Sequence, residues 1–210
     1  MHKNLIELKH PLLQHKLGFL RDKTTNSSEF RNITTEISKV LAYEAMRTWT
    51  HVNHVEVETP IAKASVQRII NPPVAVAILR AGNGMLEGVL SMIPFASSGF
   101  IGIYRDKFIQ NTVEYYFKLP ADVKGRDIFL CDPLVATADT MIAAIDRLKS
   151  YHVGKIHVLS ILASEHALNR MAHFHPDVMI YTLNVEKEMT ENGYLVPGLG
   201  DAGDRLYQTK

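Results

Sequence analysis

The sequence predicts an α/β protein built on a mostly parallel sheet flanked by helices, and three observations carry that reading. Apolar runs at 74–79, 128–131 and 178–183 are too brief for most helices and do not alternate, as strands buried on both faces do not. Between them apolar residues return at helical spacing, most plainly Met141, Ile142, Ile145 and Leu148. Strand-like and helix-like segments alternate through the middle and C-terminal thirds, the order of a parallel sheet covered on both faces.

Bulk properties narrow the class. A chain of 210 residues suits one large domain or a domain with a small appendage. Its 46% hydrophobic and 21% charged residues are ordinary for a protein with a real core. A formal net charge of +1 leaves no broad footprint for nucleic acid or an anionic membrane. No apolar run approaches a membrane span, and Met1-His2-Lys3-Asn4 is not followed by a signal-peptide core. Cys131 is the single cysteine, which excludes an internal disulfide and fits a reducing cytoplasm. Its place in an apolar strand reads as a small buried hydrophobe, not a nucleophile.

Taken in order, residues 5–8 read as a short strand. His10-Pro11 introduces Leu12, Leu13, Leu17 and Leu20, a helical stripe interrupted by Gly18. A polar break over 24–28 offers Ser27 or Ser28 as N-cap to a long helix over 29–50. There Phe30, Ile33, Ile37, Val40, Leu41, Tyr43, Met46 and Trp49 recur at three- and four-residue steps. Residues 52–61 alternate and stop at Thr59-Pro60, as an edge strand or hairpin arm does. After Asn71-Pro72-Pro73 come a strand over 74–79, the loop Arg80-Ala81-Gly82-Asn83-Gly84 and a helix over 85–93. A strand over 100–104 ends in Arg105, and 105–119 reads as an excursion such as a hairpin. The strand that ends at Asp132 leads into a helix from Met141, with Thr140 or Asp139 as its cap. A strand over 155–162, a helix over 164–174 and a strand over 178–183 follow, before a glycine-dense end.

The stretch 127–148 is the chemical centre. A strand, a small-residue loop and a helix in that order hold phosphate in α/β proteins, because first-turn N–H groups and the helix dipole face the anion. Ligands of such sheets lie outside the carboxyl ends of the strands, where Arg80, Arg105 and the loop from Asp132 to Thr140 gather. Two arginines beside an anion-ready loop suggest a ligand with more than one phosphate. Each arginine alone is equally well a surface ion-pair partner.

These residues resemble a known family. His10-Pro11-Leu12 with His15-Lys16-Leu17-Gly18, Ile78-Leu79-Arg80-Ala81-Gly82, Tyr104-Arg105 and Asp132-Pro133-Leu134-Val135-Ala136-Thr137 are similar to motifs of the uracil phosphoribosyltransferases. Gly193-Tyr194-Leu195-Val196-Pro197-Gly198-Leu199-Gly200-Asp201-Ala202-Gly203-Asp204 resembles their uracil-binding segment most specifically. The resemblance implies a type I phosphoribosyltransferase fold over 1–210, with an N-terminal helical part to about residue 50 and a C-terminal uracil-binding hood over about 184–210. It implies transfer of ribose 5-phosphate from phosphoribosyl pyrophosphate (PRPP) to N1 of uracil, giving UMP and pyrophosphate with help from Mg²⁺.

Carried over by position, Arg80 and Arg105 would grip the pyrophosphate and Asp132 the ribose hydroxyls. Pro133, Leu134, Val135, Ala136, Thr137, Ala138, Asp139 and Thr140 would complete the PRPP site, with the backbone of 136–140 cradling the 5-phosphate. Leu195, Gly200, Asp201 and Ala202 would meet uracil, and Asp201 would also face PRPP and its magnesium shell without binding the metal directly. Arg80, Arg105, Asp132 and Asp201 are thus the catalytic candidates. The resemblance further implies a cytoplasmic homo-oligomer, a dimer or tetramer, whose partners are PRPP and uracil.

One departure stands out. The family's phosphate loop normally continues Ala-Thr-Gly-Gly, whereas this chain reads Ala136-Thr137-Ala138-Asp139. A carboxylate aimed at a phosphate would repel it by about 1 kcal/mol per unit charge pair at 4 Å in water, and by several times that when partly buried. Turned outward, Asp139 would leave the loop usable. The substitution therefore admits a second reading, a non-catalytic homologue that binds uracil or PRPP as a sensor.

Overall fold

The structure is a computed structural model describing residues 3–106 and 111–209, apart from the side chains of Arg105, Asp106 and Asn111. Strand β1 (Leu5–Glu7) leads to helix α1 (Pro11–Arg21), which opens on a proline at a position where no backbone donor is needed. The helix continues through Gly18 because Leu13, Leu17 and Leu20 all bury. Helix α2 (Ser27–Ala45) is capped by Asn26, whose side chain accepts the Glu29 N–H at 3.0 Å, so neither Ser27 nor Ser28 is the cap. It also ends short of the expected residue 50. The chain turns after Ala45, and that turn lays the Trp49 ring edge-on to Phe129 at 5.9 Å.

Strands β2 (Val52–Glu58) and β3 (Lys63–Ile69) form an antiparallel hairpin from Val52↔Ile69 to Glu58↔Lys63. Then come β4 (Val74–Leu79), α3 (Asn83–Met92), and the antiparallel pair β5 (Ser97–Asp106) and β6 (Asn111–Lys118). The excursion after Arg105 is thus a hairpin. Strand β7 (Ile128–Cys131), the short β8 (Leu134–Val135) and α4 (Asp139–Lys149) follow. Next are β9 (Ile156–Leu159), β10 (Leu162–Ser164), α5 (Glu165–Phe174), β11 (Met179–Thr182) and β12 (Asn184–Glu186). The chain closes with β13 (Glu188–Met189), β14 (Leu195–Val196) and α6 (Ala202–Tyr207).

The central sheet has the order β1-β11-β9-β7-β4-β5-β6, and every pairing in it is parallel except β5 with β6. One face packs Phe129, Ala75 and Ala77 against Leu13, Phe30, Leu41 and Met85 of the first three helices. The other packs Val76, Ile128 and Leu130 against Met141, Ile145, Leu148 and Leu168 of α4 and α5. Both faces are dry, which is why the strands read as uninterrupted apolar runs.

The single strand expected over 155–162 divides. Ser160 bonds back to Tyr181 O at 2.9 Å and Ile161 to Pro133 O at 2.9 Å, and Leu162 enters a second parallel sheet, β12-β10-β8. Its three strands continue β11, β9 and β7 beyond their carboxyl ends, where they set the floor of the site.

Candidate active site

Parallel pairing places the ends of β4, β5 and β7 side by side. Arg80 follows β4, Asp132 follows β7, and Arg105 lies on β5 opposite Thr112 with its side chain outside the described residues. The loop after β4 closes tightly onto β7. A Cβ on Gly82 would lie 2.2 Å from Cys131 O and 2.6 Å from Ile78 O, so no other residue fits there. Half-exposed Arg80 donates to Thr209 Oγ1 at 3.1 Å and to Asp204 Oδ1 at 3.4 Å.

From Asp132 to Met141 the chain wraps a cavity of about 130 Å³. Ala138 takes φ +66°, a left-handed turn that a glycine would make freely. A Cβ in that conformation costs about 1–2 kcal/mol. Ala138 itself occupies the cap position of α4, so Asp139 and Thr140 are already inside the first turn and the expected side-chain cap is not made.

Asp139 turns to Arg170 on α5, whose Nη1 lies 2.5 Å from its Oδ1 and also donates to Thr137 O at 2.5 Å. One step back along the loop, Ser164 Oγ donates to Ala136 O at 2.5 Å while accepting the Ala167 N–H that starts α5. In a trans peptide the N–H points opposite to the C=O. Holding the carbonyls of Ala136 and Thr137 against α5 therefore turns the N–H groups of Thr137 and Ala138 away from it. Those N–H groups, and that of Thr140, find no acceptor among the described residues.

Burial pushes the Asp132 carboxyl up to about 7, the Leu134 N–H pulls it down, and nearby Asp201 adds a small upward push. Burial raises the neighbouring Cys131 thiol to about 12, with Asp132 contributing, so Cys131 is a packed hydrophobe.

The glycine-dense end folds over this rim. Strands β13 and β14 pair in register Met189↔Leu195, and the turn between them has Gly193 at φ +84°. A Cβ at Gly193 would sit 3.7 Å from Thr137 Cγ2, and one at Gly203 would sit 3.7 Å from Arg80 Nη2. The segment thus runs beside both the phosphate-type loop and the Arg80 loop, and Arg80 bonds Asp204 just beyond it. Gly198 at φ +59° packs where a Cβ would meet Leu195 O at 2.2 Å. Asp201, exposed, caps α6 by accepting the Asp204 N–H at 2.9 Å, and Ala202 is the first residue of that helix. The N–H groups of Gly200 and Ala202 find no acceptor among the described residues.

Two arginines hold this segment from beneath. Arg21 donates to Gly198 O at 2.8 Å and pairs with buried Glu186 at 2.5 Å. Arg205 donates to Leu199 O at 2.9 Å and Asp22 O at 2.6 Å and lies 4.3 Å over the Phe30 ring. Sequence reasoning missed Arg21, Ser164, Arg170 and Arg205, because each acts on a partner distant in the chain or on a main-chain carbonyl. An uncompensated Asp139 does signal the need for a cation, yet nothing singles out Arg170 among 23 Lys and Arg residues. A larger apolar cavity of about 380 Å³ lies between β1 and α5, at the opposite end of the strands from these residues.

Comparison with known proteins agrees along the whole chain. The family model described as uracil phosphoribosyltransferase matches residues 7–209. A protein named uracil phosphoribosyltransferase from Agathobacter rectalis is 44% identical over 207 residues, 98% of this chain and 99% of the relative. Its namesake from Wolinella succinogenes is 45% identical over 207 residues, again 98% of this chain and 99% of the relative. The solved structure of the AQ2163 protein from Aquifex aeolicus superposes with a TM-score of 0.92 at 33% identity, covering 98% of this chain and 99% of that one. Adenine phosphoribosyltransferase from Leishmania donovani shares the fold alone, with a TM-score of 0.58 at 12% identity over 90% of this chain and 86% of that one.

Proposed function

The chain belongs to the uracil phosphoribosyltransferase family and makes UMP from PRPP and uracil in pyrimidine salvage, and we propose that it does so across the rim just described. The observation that carries this reading is that the 193–203 segment runs beside both Thr137 and Arg80. It sets a main-chain-lined base site beside a phosphate-type loop.

In this reading the 5-phosphate lies in the 136–140 loop, held by the N–H groups of Thr137, Ala138 and Thr140 and by the first turn of α4. Asp132 accepts hydrogen bonds from the ribose hydroxyls. Arg80, joined by Arg105, exchanges its partners Asp204 and Thr209 for the pyrophosphate. Uracil offers one N–H between two carbonyls, and fixed main-chain groups of Leu195, Gly200 and Ala202 match that order. Cytosine would leave buried groups unpaired, at about 1–3 kcal/mol each.

The C1–O bond to pyrophosphate breaks as the bond to uracil N1 forms, the N1 proton leaving to water or to the pyrophosphate. Positive charge grows on the sugar carbon and negative charge on the departing group. Arg80 and Arg105 oppose the second, and Asp132 and Asp201 lie near the first, so the site favours the transition state over the bound substrates. The residues fit Mg²⁺ held chiefly by substrate oxygens and water. Asp132 and Asp201 supply carboxylates at the rim, while no group of three or more potential metal ligands occurs among the described residues. When bound, that ion would neutralise charge on the pyrophosphate.

A homo-oligomer belongs to the same proposal, since the β2–β3 hairpin exposes Val55, Ile61, Ile69 and Ile70. So does a cytoplasmic location, and no helix among the described residues is long and apolar enough to cross a membrane. The test is synthesis of UMP from labelled uracil, PRPP and Mg²⁺ by the purified protein. Arg80→Ala should raise the KM for PRPP at least tenfold while uracil still binds. Bound uracil with no UMP from the unaltered protein would return the sensor reading.

A further inference from the structure

The established reaction does not explain why an acidic residue is tolerated in the first turn after a phosphate loop. The structure holds a specific answer on a different helix. Arg170 Nη1 contacts Asp139 Oδ1 and Thr137 O, both at 2.5 Å, from the outer side of the loop. The salt bridge is partly shielded, with the Asp139 side chain 22% and the Arg170 side chain 32% exposed, so solvent screens it only in part. Ser164 takes Ala136 O on the same flank. Helix α5 thus grips two successive loop carbonyls and the one acidic side chain of residues 133–140, and the peptide geometry sends the intervening N–H groups the other way.

We propose that Arg170 is a positioning residue for PRPP. It draws the Asp139 carboxylate out of the phosphate's field and fixes the Thr137 peptide so that the Ala138 N–H faces the cavity. Neutralising Asp139 is the larger part of that role. Arg170 does not touch substrate. It makes an Ala-Asp loop equivalent, for a phosphate dianion, to an uncharged Gly-Gly loop. The proposal rests on the assignment of the 136–140 loop to the 5-phosphate.

A double-mutant cycle between Arg170 and Asp139 tests it, read as KM and kcat for PRPP and for uracil. Arg170→Met should raise the KM for PRPP about tenfold or more and leave the KM for uracil within about twofold. Arg170→Lys, which keeps the charge, should stay within about threefold of the unaltered protein. In an Asp139→Gly background, Arg170→Met should change the KM for PRPP at least threefold less than it does alone, a rescue that a merely structural role would not give.

An unchanged KM for PRPP in Arg170→Met overturns the proposal. So does an equal loss in both backgrounds, or a loss in Arg170→Lys as large as that in Arg170→Met. Should Arg170→Met not fold, Arg170→Gln, alone and in the Asp139→Gly background, gives the same comparison, with a loss in the first and at least threefold less in the second expected. Failure of the unaltered protein to bind PRPP, seen by titration before any variant is made, would instead overturn the loop assignment and this proposal with it.

Discussion

Asp132 combines a working position with a carboxyl that burial holds at about 7. In the ligand-free enzyme burial therefore favours the protonated acid as pH falls below about 7. A protonated acid accepts ribose hydroxyls poorly, so kcat/KM for PRPP should fall about tenfold per pH unit below 7. Asp132→Asn should lower activity and flatten that acid limb, and a limb that survives the substitution would assign it to another group. The sign for stability is opposite. A carboxyl raised above its unfolded value of 3.8 favours the fold at low pH, and that contribution is lost as pH climbs toward 7. Ala138 offers a second measurement. Relief of its left-handed strain, about 1–2 kcal/mol, exceeds the added freedom of an unfolded glycine, about 0.5–1 kcal/mol. Ala138→Gly should thus stabilise by about 0.5–1 kcal/mol and raise Tm by about 1–4 °C. At this scale the sequence disclosed residues that line the rim, Arg80 and Asp132 among them. It hid those that act through a carbonyl, because a side chain reaching a main-chain oxygen leaves no pattern in residue type.

Among the elements, α1 does more than cover the sheet. Its last residue, Arg21, ties Gly198 O to the buried Glu186, and through that bond the helix sets the height of the base-binding segment. Arg21→Met would leave Glu186 buried without its partner, at about 2 kcal/mol after allowing for the exposure of the arginine. The KM for uracil should rise severalfold and that for PRPP much less, checked by steady-state kinetics with a denaturation curve alongside. Equal effects on the two substrates would contradict this placement of α1. The longer elements were legible because burial imposes a helical period on α2 and α4 and an unbroken apolar run on β4. The strands β8, β10, β12, β13 and β14 have only two or three residues each, fewer than one period needs, and so could not be read. The unforeseen arm β3 was concealed for a related reason. Its faces are both largely exposed, and Lys63–Ile69 carries no apolar alternation strong enough to mark it.

For the molecule as a whole, acid stability depends on imidazoles far from the rim. His157 sits between Phe129 and Tyr181, with ring centroids at 5.5 and 6.0 Å, and burial lowers its pKa against a smaller upward pull from Asp127. His175 is lowered the same way, by burial and then by Lys149. A histidine that resists protonation when folded supports the fold above its unfolded value of 6.5 and withdraws that support as pH falls below it. Between pH 7 and pH 5 these imidazoles therefore withdraw stability while Asp132 adds it. His157→Phe should shift Tm at pH 5, relative to pH 7, upward from that of the unaltered protein. A slope identical in the variant would place the acid sensitivity elsewhere. The parallel character of the sheet and the gathering of Arg80 and the 132–140 loop at its carboxyl rim followed from the alternation of strands and helices, whereas the strand order did not. The closing of the C-terminal segment over them was foreseen through resemblance, since no local rule places a glycine-rich end above a particular strand. The bond from α5 to Asp139 also has a consequence on an evolutionary timescale. An acid at 139 in a chain without a cation at 170 would be exposed to purifying selection, whereas a glycine there releases 170 to drift. Across descendants of a common ancestor the two positions should change together, with the arginine arriving first.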